Sequence, residues 1–193
     1  DRRLEKDRYR VATDDRGDIA SFFDKTLGRE LLSAPIRLAL LRDVPDTWPE
    51  WEIYHRDITA EPYAHFEGPA EIKLVEPGPV RATLEVRRQA HGSTAVQRIR
   101  LAAGAAGDHV EIETILDWRT PATLPKAVFP LAAANPRATY DLGFGVIERP
   151  GNTDTLYEVP AQQCADLTDS GGTFGVTIMN HGKYGWDKPD ERT

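Results

Sequence analysis

Val110, Ile112, Thr114, Leu116 and Trp118 alternate with Glu111, Glu113 and Asp117. Only an extended strand places every second side chain on one face; a helix would scatter these residues around its circumference. The same two-residue period recurs along the chain. Tyr9 and Val11 alternate with Arg8 and Arg10, and residues 19–23 read as a returning strand. Ile36, Leu38 and Leu40 form one face of a third. Val80, Ala82, Leu84 and Val86 oppose Arg81, Glu85 and Arg87. A further strand covers 95–102, Tyr140, Leu142, Phe144 and Val146 form another stripe, and Phe174, Val176 and Ile178 the last.

Turn residues separate these runs. Asp14-Asp15-Arg16-Gly17-Asp18 is a hairpin signal, because glycine tolerates the positive φ of a tight turn. Residues 24–28 and His91-Gly92-Ser93 are two more. No segment of ten or more residues carries helical apolar spacing with a capping signal, while fourteen prolines and fifteen glycines punctuate the chain. The expected fold is an all-β antiparallel sandwich of roughly ten strands with no major helices. The 193 residues suffice for one domain spanning 1–193.

Composition excludes some functions. The formal net charge of −7 argues against nucleic acid or an anionic membrane as partner. Arginines 81, 87, 88, 98 and 100 are a local exception, read as the solvated outer face of a hairpin. No apolar run reaches the ~18 residues of a membrane span. The charged start, Asp1-Arg2-Arg3-Leu4-Glu5-Lys6, has no signal-peptide core. The single cysteine, Cys164, suits a reducing, cytoplasmic setting and reads as a small apolar packing residue.

Chemical motifs are sparse. Histidines 55, 65, 91, 109 and 181 lack the close spacing of a zinc helix, and one cysteine excludes a thiolate site. Gly143-Phe144-Gly145 lies in an alternating run and opens no phosphate-binding helix. With 31 acidic residues, no carboxylate pair stands out as a glycosidase pair. Two loops carry more. Residues 43–69 hold Asp46, Trp48, Trp51, Tyr54, His55, Tyr63, His65 and Phe66, and residues 148–160 form the second. Flat rings stack on the C–H faces of a pyranose, so Trp48 and Trp51 fit sugar recognition or the plugging of a sandwich edge. Tyr184 and Trp186, near the end of the chain, carry the same two readings, whereas Trp118 reads as core.

Several stretches, in order, resemble the family 38 glycoside hydrolases, the retaining α-mannosidases. They are Tyr9-Arg10-Val11 with Gly17-Asp18-Ile19-Ala20-Ser21 and Asp24-Lys25; residues 28–32; Pro45-Asp46-Thr47-Trp48-Pro49-Glu50-Trp51; Asn135-Pro136-Arg137 through Glu148-Arg149-Pro150; residues 159–167; and Lys183-Tyr184-Gly185-Trp186-Asp187-Lys188-Pro189. The resemblance implies the β-sandwich, shaped like galactose mutarotase, that follows the catalytic domain in that family. It implies a fragment of a larger multidomain enzyme, with no catalytic residue and no metal ligand in this chain. Zinc is expected in the parent's catalytic domain. The implied partners are that catalytic domain in cis and a mannose-containing glycan, with the oligomeric state of the parent left open. The implied substrate-binding residues are Trp48, Trp51 and Arg149, as walls of the sugar cleft, although Arg149 also fits a structural ion pair. The loop 149–158 is shorter than in many relatives, and Cys164 stands where they carry an aromatic residue. A further strand is expected after Thr193. Two alternatives stay open: a stand-alone carbohydrate-binding sandwich, and a mutarotase-like epimerase using His65 or His109.

Overall fold

A computed structural model describes residues 2–67 and 69–193. Asp1 of the charged start and Gly68 of the first long loop lie outside the described residues. The chain is all-β and antiparallel, with seventeen strands, several only two residues long, among the described residues. It divides into two compact units, residues 1–44 with 61–129 and residues 45–60 with 130–193.

The first unit opens with β1 (Arg3–Glu5), β2 (Tyr9–Thr13), β3 (Ile19–Asp24) and β4 (Arg29–Glu30), paired in sequence order. The β2–β3 hairpin turns where expected, with Gly17 at φ +82°. A Cβ there would lie 2.5 Å from Val86 Cγ1, so both the turn and the packing require glycine. β5 (Arg37–Arg42) pairs with the short β6 (Ala64–His65). β7 (Glu71–Pro77), β8 (Arg81–Ala90), β9 (Ser93–Ala102) and β10 (Glu111–Asp117) form a four-stranded meander, and β11 (Thr123–Val128) joins the other side of β5. Ala39 and Leu41 of β5 are buried along with Leu38 and Leu40, so this central strand is covered on both faces. Leu38, Leu40, Phe66 and Ala95 make a core cluster against which Trp118 packs, its ring 6.4 Å from that of Phe66.

The β8–β9 hairpin closes through His91 and Gly92, both at positive φ, the backbone of a two-residue turn matched to strand twist. Its outer face carries a cross-strand charge ladder. Arg98 donates to Glu85 at 2.9 Å and Glu113 at 3.2 Å, and Arg100 to Glu111 and Glu113 at 2.6 Å each. Such pairs on an open face add little stability singly, but they fix register.

Arg88 departs from the outer-face reading. It continues the inward stripe of Ala82, Leu84 and Val86, and only 1% of it is exposed. Its guanidinium donates to Asp18 at 2.6 Å and to the Phe66 carbonyl at 2.8 Å, and it also reaches Gln97 Oε1. Asp18, itself 2% exposed, faces Arg37 as well, at 3.1 Å. One other expectation also shifts. Val80 precedes β8 and is exposed. β10 forms the strand that its alternation predicts and lies at the sheet edge, with Ile115 and Leu116 largely open.

In the second unit, β12 (Arg137–Asp141), β13 (Val146–Pro150), β15 (Cys164–Thr168) and β16 (Gly175–Met179) pair in the order β13-β12-β15-β16. β14 (Val159–Pro160) pairs with β17 (Gly185–Trp186). A single helical turn, α1 (His55–Ile58), belongs to the same unit. The stripe read through Tyr140, Leu142, Phe144 and Val146 is broken by a hairpin. Asp141 accepts the Gly143 N–H through Oδ1 at 2.8 Å, Gly143 takes φ +92°, and Phe144 stands fully exposed at the tip. Tyr140 is buried on the inner face with Ala138 and Leu167.

Removing one member of a buried ion pair leaves the other charge desolvated, which costs about 3–5 kcal/mol. Arg88→Met should lower unfolding stability by that amount in a denaturant titration. Asp18→Asn alone should also destabilise, and the double variant should lose about 0.5–3 kcal/mol less than the sum of the two single losses; strictly additive losses would show that the pair is not linked. Gly17→Ala should cost about 1–3 kcal/mol through overpacking alone, read from the same titration, and a wild-type midpoint would contradict the tight Val86 contact.

Candidate functional site

The first long loop does not act as one piece. Residues 45–60 belong to the second unit and residues from 61 onward to the first. Phe66 is core and His65 is a strand residue of β6. Tyr63 has its hydroxyl 2.8 Å from that of Thr123. His109 is exposed. The aromatic cluster read from sequence therefore reduces, for recognition, to residues 46–57.

That segment is a tight turn followed by α1. The Trp48 carbonyl accepts the N–H groups of Trp51 at 2.8 Å and Glu52 at 2.9 Å. Pro49 occupies the second turn position, where its fixed φ suits the bend. Trp48 itself holds φ +55°, a left-handed conformation that a bulky aromatic residue adopts at a cost of about 1–3 kcal/mol. Trp48 is 68% exposed and Trp51 83%. These rings are presented outward by a fixed turn and do not plug the unit that carries them.

The flanks of the turn are tied down. The Arg56 guanidinium lies 3.5 Å from the Asp46 carboxylate and 4.6 Å from the centre of the Tyr54 ring. The ring of His55 lies 5.1 Å from that of Tyr157, and the Tyr157 hydroxyl donates to the Ile53 carbonyl at 2.9 Å. Sequence reasoning missed Tyr157, because a tyrosine inside a loop carries no periodic signal.

Arg149 sits on β13, in a strand and not in a loop. It donates to the Pro160 carbonyl at 2.8 Å and lies 5.2 Å from the centre of the Tyr140 ring. These neutral partners anchor the side chain. Burial pushes the Tyr140 phenol pKa up, opposed by the Arg149 charge.

The following loop is pinned by a reciprocal clamp. Asn152 N–H donates to the Lys188 carbonyl, and Lys188 N–H to Asn152 Oδ1, both at 2.8 Å. Lys188 is 3% exposed, burial pushes its amine pKa down, and its Nζ donates to the Asp190 carbonyl. Cys164 is half-buried on β15, and burial raises its thiol pKa. Tyr184 is exposed, while Trp186 is partly buried in β17.

Among the described residues, no three His, Cys, Asp or Glu side chains gather to hold a metal ion. No helix among them is long and apolar enough to cross a membrane. The structure thus sets the two tryptophans on one exposed turn and Arg149 on a separate strand of the same unit.

Comparison with known proteins gives this geometry a context. The chain is 28% identical over 187 residues to alpha-mannosidase 2C1 of Mus musculus, covering 91% of this chain and 17% of that protein. It is 27% identical over 191 residues to the alpha-mannosidase of Saccharomyces cerevisiae, again covering 17% of that protein. A crystal structure of a family 38 glycosyl hydrolase from Enterococcus faecalis superposes with a TM-score of 0.80 at 14% identity, covering 99% of this chain and 25% of that one. The chain therefore spans a quarter or less of the proteins it is compared with here. Residues 4–192 match the C-terminal domain of the family 38 glycosyl hydrolases, and the chain belongs to that family.

Proposed function

We propose that this chain is a non-catalytic β-sandwich domain, single over residues 1–193, of a larger zinc-dependent retaining α-mannosidase. In this reading it packs in cis on the catalytic domain. Trp48, Trp51 and Arg149 help to wall the cleft that takes a mannose-containing glycan. The observation that carries the reading is the turn at 48–51. Two indole rings are held out to solvent by a backbone fixed through the Trp48 carbonyl. Exposed flat apolar rings gain most when a sugar face or a partner surface covers them.

Zinc belongs to the catalytic domain in this reading, where it would supply Lewis-acid chemistry. The described residues of this chain do not fit a metal site. The single cysteine supports a cytoplasmic parent.

In the whole enzyme, Trp51→Ala should raise KM for an aryl α-mannoside by about 3- to 10-fold, the loss expected for one ring stacked on sugar. Arg149→Ala should raise KM or lower kcat. Kinetics unchanged in both variants would remove these residues from the cleft.

A chelator should abolish hydrolysis by the whole enzyme, and the 193-residue chain alone should show none. Activity that survives prolonged chelation would contradict the zinc assignment. Saturable calorimetric binding of mannose or mannobiose to the isolated chain would favour a stand-alone carbohydrate-binding module.

A further inference from the structure

We infer that Tyr157 is a positioning residue, a clasp that fixes the tryptophan turn from outside its own segment. The clasp stands on geometry alone; its consequence for a mannoside rests on the function proposed above. The turn at 48–51 precedes α1, and Ile53 joins the two. Within α1, the Tyr54 carbonyl accepts the N–H groups of Asp57 at 2.9 Å and Ile58 at 3.1 Å. The Ile53 carbonyl, just before the helix, receives the Tyr157 hydroxyl at 2.9 Å, across 104 residues of sequence. The Tyr157 ring meets His55 at 5.1 Å, so one side chain holds both the linking residue Ile53 and the first residue of α1.

Tyr157 is itself on a held element. Its loop is tied at one end by the Asn152–Lys188 clamp and at the other by β14, where Val159 pairs with Trp186. Inside the loop, Leu156 N–H donates to Thr153 Oγ1 at 2.9 Å. The Lys188 segment thus holds the loop that carries Tyr157, and Tyr157 in turn holds Ile53, the residue that follows the tryptophan turn in sequence. The strained φ of Trp48 needs such outside support, because strain persists only where the surroundings over-determine the backbone.

The test uses the full-length enzyme carrying this domain. Tyr157→Phe keeps the ring against His55 and deletes the hydroxyl, while Tyr157→Ala deletes both. Hydrogen exchange is followed by mass spectrometry in peptides covering 45–54, with residues 164–168 as an internal reference. A net hydrogen bond sets the scale, so the Phe variant should exchange about 2- to 10-fold faster at 45–54, and the Ala variant faster still. KM for an aryl α-mannoside should rise by a similar factor with kcat held, and less for Phe than for Ala.

Unchanged exchange at 45–54 in both variants overturns the clasp, whatever the kinetics. Faster exchange with unchanged KM keeps the clasp and overturns the placement of the tryptophans in the sugar cleft. If the Ala variant also loses protection at 164–168, it has disturbed the whole unit, and the Phe variant decides.

Discussion

The Arg88–Asp18 contact is the constraint on which the first unit depends. A charged residue interrupts the apolar inward stripe of β8, between Val86 and Ala90, and is almost completely removed from water. That burial is tolerable only because the partners come from several places: Asp18 from the β2–β3 turn, the carbonyl of Phe66 after β6, and Gln97 from β9. A slip of β8 by one residue would send Arg88 to the outer face and Arg87 inward, where these partners would not fit it. The partners of Arg88 and the register of β8 therefore depend on each other. Gly17 serves the same junction, since its missing Cβ lets the turn close on Val86.

The second unit is organised differently. Its sheet buries Ala138, Tyr140 and Leu167, but much of its remaining apolar surface is open, including Phe144, Val146 and Met179. Its loops are fixed by single polar clamps, such as Asn152 with Lys188 and Tyr157 with Ile53. This arrangement suits a unit that presents side chains outward. The strained backbone of Trp48, the exposure of Trp51 and the anchored guanidinium of Arg149 all lie in this unit.

Much of the fold was legible because alternation and turn glycines act locally. The β2–β3 and β8–β9 hairpins fall where Gly17 and Gly92 stand. A two-residue period says neither which strands neighbour one another nor where a turn interrupts it. β10 is the strand its alternation predicts, but that period carries no sign of its place at the sheet edge. Arg88 looked like a surface residue because its partners are distant in sequence. Gly143 was absorbed into a strand because the apolar period continues across it, although the chain turns there. For Trp48 and Trp51 the sequence left recognition and edge-plugging open, and their exposure of 68% and 83% is what separates the two. The strand setting of Arg149 and the role of Tyr157 were not legible, since both rest on long-range pairing.

The function proposed for this domain requires the Trp48–Trp51 turn to face a mannoside in the assembled enzyme. The most direct measurement is a crystal structure of that enzyme with a bound mannoside-like inhibitor. At least one of the two indole rings should then lie within about 4.5 Å of the sugar or its aglycone, the range of direct apolar contact. Both rings left in solvent, or both buried against protein away from the sugar, would contradict that function.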